Sequence, residues 1–123
     1  MMKIVYFSLT GQTRRFVKKT GLDAFEITAS NSFTDFDEPY VLIVPTYEKD
    51  VVTPVFDFLE NGRNAEFCAG VAGGGNRNFA ELFVFTAKDI AKDYHVPLLY
   101  TFEFNGTEED VKYIQKVVKS LES

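Results

Sequence analysis

The sequence predicts an open α/β domain built on a parallel sheet, and two observations lead to it. Short apolar runs alternate with amphipathic stretches along the chain, and the runs are largely apolar throughout, as in strands buried on both faces. The 123 residues, 46% of them hydrophobic, also match the size of a domain with one sizeable core. We therefore expect one domain over residues 1–123.

Five apolar runs are predicted to be strands. Between the second and the third, Ala29 to Glu38 mixes Ser, Asn, Asp and Thr with two phenylalanines and is expected to be a surface loop. The predicted strands are Ile4 to Phe7, Ala24 to Ile27, Tyr40 to Val44, Cys68 to Ala72 and Leu98 to Phe104.

Helix signals follow the strands. One helix is expected to start at Thr13, and another has Thr53 as its N-cap, with Pro54 in the first helical position and a stop at Asn61-Gly62. Helical spacing of Phe79, Leu82, Phe83, Thr86, Ala87 and Ile90 predicts one continuous crossover helix. In the last helix Thr107 is the cap, and the buried stripe is Val111, Ile114, Val118 and Leu121.

The loop between the first strand and the first helix reads SLTGQT and has the character of a phosphate site. Its residues Ser8, Thr10, Gly11, Gln12 and Thr13 would offer hydroxyls and backbone N–H groups at the positive end of a helix. The interpretation that competes with a phosphate site is a turn whose hydroxyls cap the next helix.

The residues that this loop lacks exclude several classes of phosphate ligand. It has no Gly-Lys-Ser/Thr for a triphosphate, one glycine where a dinucleotide fingerprint needs three, and no thiol, since Cys68 lies far along the chain. These absences favour a monophosphate that is held and not transferred, and flavin mononucleotide (FMN) carries such a group.

Two further loops are expected at the same edge of the sheet, because ligands of open α/β sheets bind beyond the carboxyl ends of the strands. They are Pro45 to Asp50 and Gly73 to Asn78. The second, GGGNRN, combines glycines that allow close approach with amide and guanidinium groups, which suits a flat polar heterocycle. A flexible turn is the competing interpretation of this loop taken alone.

Composition excludes several classes of function. A net charge of −5 argues against a general nucleic-acid surface and suits basic partner proteins. There is no run of about 20 apolar residues and no leader-like N-terminus, so we expect no membrane span and a cytoplasmic protein. No His, Asp and Glu cluster has metal-ligand spacing, so no metal site is expected.

Several single residues receive structural interpretations. Cys68, the only cysteine, is expected to behave as a small hydrophobe. His95 precedes the last strand and is expected at the edge opposite the ligand. Arg14 and Arg15 are interpreted as a solvated helix face, although both could attract a phosphate over distance.

Four strings resemble the NrdI proteins, which are small flavodoxin-like FMN proteins associated with class Ib ribonucleotide reductase. The strings are VYFSLTGQTRRFV, YVLIVPTY, GGGNRNF and VPLLYTFEFNGTEEDV, and together they extend over nearly the whole chain. The last two are more specific than the phosphate loop, which flavodoxins in general share. The chain is thus identified as a member of the NrdI family.

The resemblance implies a fold and a function. The fold would be a flavodoxin-like three-layer sandwich, with a five-stranded parallel sheet in the order 2-1-3-4-5 and helices on both faces. The bound FMN would carry the chemistry, so the resemblance implies no catalytic side chain and no organic substrate. FMN would receive electrons from a reductase and pass them to dioxygen, which would give superoxide or peroxide as the oxidant. The radical-bearing subunit of class Ib ribonucleotide reductase would use this oxidant to assemble its dimanganese-tyrosyl radical cofactor.

The resemblance and the three loops together give the expected cofactor-binding residues. They are Ser8, Thr10, Gly11, Gln12, Thr13, Pro45, Thr46, Tyr47, Glu48, Gly73, Gly74, Gly75, Asn76, Asn78 and Phe79.

One segment departs from the family pattern. Members resemble one another in having glycines after the residue that matches Tyr47, whereas this chain has Glu48-Lys49-Asp50. A left-handed conformation there would cost a non-glycine residue roughly 1 kcal/mol or more, and carboxylates would disfavour an anionic reduced flavin. Altered flavin potentials, weaker FMN binding and side chains that simply face solvent all remain open.

Two other functions also remain open at this point. The chain could be a general flavodoxin that carries electrons, or a divergent member in which weakened FMN binding leaves an interaction module.

Overall fold

The computed structural model describes residues 2–122, apart from the side chain of Glu81. The strands are β1 (Lys3–Phe7), β2 (Ala24–Ile27), β3 (Tyr40–Val44), β4 (Cys68–Gly75) and β5 (Leu98–Glu103). They form one parallel sheet in the order β2-β1-β3-β4-β5. The predicted strand order is therefore confirmed.

Helices cover both faces of the sheet. They are α1 (Gln12–Thr20), α2 (Thr53–Glu60), α3 (Phe85–Asp93) and α4 (Glu108–Glu122), with short 3-10 helices at Asn64–Phe67 and Arg77–Leu82. Successive residues of a strand point to opposite faces, so Val5 packs in the cluster beneath α2 and α3 while Ile4 packs in the cluster beneath α1 and α4. The result is the expected three-layer α/β sandwich.

The first cluster is rich in aromatic side chains. Phe36, Tyr40 and Phe58 pack edge to face with ring centroids 5.3 to 5.7 Å apart, and Phe36 comes from the loop between β2 and β3. This loop is irregular, as predicted, and is tied down by Asn64, whose side chain accepts a hydrogen bond from Phe36 N and donates to Thr34 O. Aromatic contacts thus anchor the long surface loop.

The predicted crossover helix over Phe79 to Ile90 is wrong. The chain instead forms the 3-10 helix Arg77–Leu82 and begins α3 only at Phe85, because Ala80 and Val84 both have a φ of 50°. A positive φ is incompatible with a continuing right-handed helix. The helical spacing of the apolar residues therefore came from two separate segments.

The expected loop from Gly73 to Asn78 is also shorter than predicted, because β4 continues to Gly75. A Cβ on Gly73 would lie 2.5 Å from the Cβ of Ala87, and one on Gly74 would lie 2.7 Å from Phe102 Cε2. Gly73 is therefore needed for close packing of β4 against α3, Gly74 leaves room for the Phe102 side chain of β5, and the loop begins at Asn76.

Three further expectations are corrected at element ends. Thr53 lies inside α2 and not at its N-cap, which is Val52. The last strand ends at Glu103, since Phe104 has a φ of 52°. Leu121 is exposed and not part of the buried stripe of α4. The cap at Thr107 is confirmed, because its Oγ1 accepts from Asp110 N and its own N–H donates to Asp110 Oδ2.

Candidate functional site

A cavity of about 490 Å³ opens at the carboxyl ends of β1, β3 and β4. The three loops that the sequence placed at this edge all contribute to its walls, together with the C-terminal end of β5. The lining residues are Leu9, Thr10, Gln12, Thr13, Pro45, Thr46, Tyr47, Glu48, Gly74, Gly75, Asn76, Phe79, Leu82, Phe85 and Phe104.

The loop after β1 forms the polar end of the cavity. Ser8 Oγ accepts hydrogen bonds from Gly11 N at 3.1 Å and Arg14 N at 3.2 Å, so this hydroxyl holds the turn and the start of α1. Gly11 has a φ of 95°, which a glycine adopts readily. Thr10, Gln12 and Thr13 are left to face the cavity beside the positive end of α1.

A hydrogen-bonded cluster supports this loop from the side of β2. Glu26 accepts from Arg14 Nε at 3.0 Å, from Arg14 Nη2 at 2.6 Å and from the Tyr6 hydroxyl at 2.9 Å. The Arg14 hydrogen bonds hold the pKa of Glu26 below its usual range, and burial followed by the contact with Glu26 raises the pKa of Tyr6 to about 12. Arg14 is thus fixed to β2 and is not the freely solvated residue that the sequence suggested.

The loop after β3 forms one side wall and is held by hydroxyl groups. Thr46 Oγ1 donates to Gly74 O at 2.7 Å. Thr86 Oγ1 accepts from Tyr47 N at 3.1 Å and donates to Tyr47 O at 3.0 Å. Thr46 is therefore tied to β4 and Tyr47 to α3, two elements that lie far along the chain.

The segment Glu48-Lys49-Asp50 adopts ordinary backbone conformations. None of the three residues has a positive φ, and the carbonyl oxygen of Glu48 accepts hydrogen bonds from Val51 N and Val52 N. Glu48 lines the cavity, whereas Lys49 does not line it, and the Lys49 Nζ lies 4.9 Å from the ring centroid of Phe56. Of the two acidic residues in this segment, Glu48 lines the cavity and Asp50 does not.

The third loop and the end of β5 form the apolar walls. Phe79 lines the cavity although 62% of its surface is exposed, and Asn76 Oδ1 accepts from Asn78 N at 2.9 Å. Arg77 and Glu103 form an ion pair that joins this loop to β5. The loop therefore rests on the last strand and holds Phe79 at the mouth of the cavity.

Four of the expected residues do not line the cavity. Ser8 and Gly11 shape the turn between β1 and α1, Gly73 packs against α3, and Asn78 N donates to the side chain of Asn76, which caps the 3-10 helix. The other expected residues are brought together around the cavity.

Sequence reasoning missed four lining residues, which are Leu9, Leu82, Phe85 and Phe104. Phe104 directly follows the last strand, so the rule that placed the other loops could have found it. Leu82 was assigned to the predicted helix stripe and Phe85 was not singled out, whereas the break at Val84 places the two residues in separate segments that both line the cavity.

Cys68 and His95, the single cysteine and the single histidine of the sequence, both lie away from the cavity. Cys68 is at the amino end of β4, where burial raises the pKa of its thiol to about 11. His95 is exposed and precedes β5, again at the edge opposite the cavity.

The cavity suits an amphipathic ligand with a flat ring and a polar tail. Its volume falls within the range of roughly 300–1,000 Å³ that is usual for small-molecule sites. Leu9, Phe79, Phe85 and Phe104 supply apolar walls. Gln12 Oε1 is buried and has no hydrogen-bond donor among the described residues, so a ligand hydroxyl could satisfy it.

Among the side chains described within residues 2–122, which leave out that of Glu81, no group of three or more His, Cys, Asp or Glu is placed so that it could hold a metal ion. The helices of this same part of the chain are too short or too polar to cross a membrane.

Comparison with protein families gives a match over most of the chain. The sequence model of the family described as NrdI flavodoxin-like matches residues 4–116. A Protein NrdI of Bartonella bacilliformis is 43% identical over 118 residues, which cover 92% of this chain and 91% of that protein. A Protein NrdI of a Ruegeria species is 40% identical over 117 residues, which cover 90% and 84%.

Solved flavodoxin structures share the fold. Flavodoxin 2 from Bacillus cereus, in its oxidised form, superposes with a TM-score of 0.66 at 19% identity and covers 98% of this chain and 97% of its own. A short-chain flavodoxin associated with a PDU bacterial microcompartment gives a TM-score of 0.65 at 18% identity, with coverage of 98% and 96%. At these identities the likeness concerns the fold alone.

Proposed function

Because the chain belongs to the NrdI flavodoxin-like family, we propose that it binds FMN in the cavity at the carboxyl edge of the sheet. The observation that carries this proposal is the division of one cavity into a hydroxyl-lined end at the start of α1 and an aromatic end at Phe79, Phe85 and Phe104. A phosphate fits the first end and a flat ring fits the second.

Each part of the site would have its own task. Thr10, Thr13 and the positive end of α1 would hold the phosphate, in a turn shaped by Ser8 and Gly11. The buried Gln12 Oε1 would accept a hydrogen bond from the ribityl chain.

The ring would lie against the second and third loops. Pro45, Thr46, Tyr47 and Glu48 would border it on one side, and Gly74, Gly75, Asn76 and Phe79 on the other. Gly73 and Asn78 would keep the strand end and the turn in place.

We further propose that the chain activates class Ib ribonucleotide reductase. When bound and reduced, FMN would supply electrons to dioxygen and so give superoxide or peroxide. The protein would limit access to the ring and pass this oxidant to the radical-bearing subunit for assembly of its dimanganese-tyrosyl radical cofactor, and a reductase would supply the electrons.

The rim of the cavity supports a partner that docks over it. Leu9, Phe79, Leu82 and Phe104 all line the cavity while more than half of each side chain remains exposed. Large apolar side chains clustered around an opening are typical of a surface that another protein covers. The oxidant would then leave the cavity directly into the interface.

Two measurements test the proposal in sequence. The purified chain, mixed with FMN, should acquire flavin absorbance and quench flavin fluorescence at a stoichiometry of one. Adding the manganese-loaded radical-bearing subunit, a reductant and dioxygen should then yield a tyrosyl radical signal in electron paramagnetic resonance.

The controls separate the alternatives. Free FMN with the same reductant should give little radical. A chain that binds FMN but yields no radical would be a general flavodoxin-type electron carrier, and a chain that binds no FMN would contradict both flavin functions.

A further inference from the structure

Thr86, in the first turn of α3, joins two distant parts of the cavity wall. Only 3% of its surface is exposed. Its hydroxyl contacts both backbone polar groups of one residue, accepting from Tyr47 N at 3.1 Å and donating to Tyr47 O at 3.0 Å. A single side chain thereby fixes the peptide groups on both sides of Tyr47.

The other threonines that bond within or beside helices use their hydroxyls locally. Thr20 Oγ1 donates to Val17 O at 2.6 Å, and Thr53 Oγ1 donates to Asp50 O at 2.9 Å. Such bonds to a preceding carbonyl satisfy a buried hydroxyl without any tertiary partner. Thr86 instead bonds to a residue 39 positions away. Its hydroxyl therefore connects two distant segments of the chain.

The loop that Thr86 holds is also ordered by the packing of Tyr47 and Val52 on the core and by hydrogen bonds at either end. Residues 45–52 contain no glycine, and they connect β3 to α2 across the side of the cavity. Thr46 is tied to Gly74 O, and the carbonyl oxygen of Glu48 accepts from Val51 N. Between these two ties, Thr86 provides the hydrogen bonds that fix Tyr47.

We propose that Thr86 is a positioning residue of the flavin site, which acts by locking the Tyr47 peptide groups onto α3. This inference rests on the proposed binding of FMN. The Thr86 hydrogen bonds keep the ring-side wall in its binding conformation before the ligand arrives. Binding is stronger as a result, because the loop loses less conformational entropy when the ligand binds. The same bonds also keep the N–H and C=O of Tyr47 directed at α3 and away from the ring.

The experiment compares two variants of Thr86 with a matched control. Thr86→Val has nearly the same shape but loses both hydrogen bonds, whereas Thr86→Ser retains the hydroxyl. Thr20→Val is the control, because Thr20 is equally buried and its hydroxyl also makes one donated and one accepted backbone bond, at the far end of α1.

Two readouts are taken for each protein. Hydrogen exchange of the Tyr47 amide, followed by NMR in the flavin-free chain, should be roughly tenfold or more faster in Thr86→Val than in the wild type, because a hydrogen bond of ordinary strength is lost. The Kd for FMN should rise roughly five- to tenfold in Thr86→Val and stay within about twofold of wild type in Thr86→Ser and Thr20→Val.

The outcomes separate this inference from the function on which it rests. Unchanged Tyr47 exchange in Thr86→Val, or an FMN Kd as in wild type, would overturn the positioning role while FMN binding stands. Equal weakening by Thr20→Val would also overturn it, since the loss would then reflect general stability. A wild-type chain that binds no FMN would overturn both.

Discussion

The two ends of the cavity are built in different ways. We call the end beside α1, where we propose that the phosphate binds, the phosphate end, and the aromatic end, where we propose that the flavin ring binds, the ring end. At the phosphate end, Ser8 holds Gly11 and Arg14, so the turn is organised by residues three and six positions apart. At the ring end, Thr46 depends on Gly74 and Tyr47 depends on Thr86, across 28 and 39 positions. A local motif forms one end, and the packing of the whole sheet forms the other.

This difference implies that the two ends fail separately. A change in the β4 or α3 framework should damage the ring end, and a change near α1 should damage the phosphate end. The following changes test this division, from the largest expected effect to the smallest.

Gly73→Ala should have the largest effect, because the added Cβ would lie 2.5 Å from the Ala87 Cβ in a packed layer. Overpacking of this kind costs about 1–3 kcal/mol, and the shift of α3 should also weaken FMN binding. Urea denaturation and flavin fluorescence titration measure the two effects. A stable variant that binds FMN normally would show that α3 adapts and that the ring end is less rigid than the contacts indicate.

Ala80→Gly should stabilise the protein. Ala80 has a φ of 50° and a ψ of −117°, a conformation that glycine adopts far more readily than alanine. The gain should be up to about 1 kcal/mol in the free energy of unfolding, since relief of strain exceeds the added chain entropy. Ala91→Gly, within α3, is the matched control and should instead cost about 1 kcal/mol.

Glu26→Gln tests the support of the phosphate end. The pKa of Glu26 is lowered in the folded chain, so its ion pair with Arg14 stabilises the fold above the unfolded pKa near 4.5 and loses that effect as pH falls through the lower folded pKa. The variant should be roughly 0.5 kcal/mol less stable at neutral pH, because the pair is partly exposed. Denaturation at a series of pH values should show the two proteins converging under acid conditions, and a constant difference would contradict the assignment.

Glu48→Gln should have the smallest effect, on the flavin and not on the fold. Glu48 lines the cavity, so removing its charge should raise the midpoint potential of bound FMN by roughly 20 mV, a value limited by solvent screening. Asp50→Asn is the control, since Asp50 does not line the cavity and should leave the potential unchanged. Equal shifts in both variants would indicate a general surface-charge effect.

Sequence reasoning predicted the strands well and the ends of helices poorly. Each strand is a largely apolar run, and that pattern is visible in the residues themselves. The break between Leu82 and Phe85 was not visible, because Ala80 and Val84 carry no local signal for a positive φ. Leu82 was consequently assigned to a helix stripe and not to the cavity, and Phe85 was not singled out.

By itself the sequence determined the family, whose resemblance implied the strand order, and the positions of the strands and of the hydroxyl-rich loop after β1. The strand positions and this loop have short-range signals, since an apolar run, a hydroxyl-rich turn and a helix start each consist of neighbouring residues. Only the tertiary structure decided the ring-side wall. There Thr86 bonds to Tyr47, Thr46 bonds to Gly74, and Phe104 lines the cavity, because the parallel sheet brings the ends of distant strands to one edge.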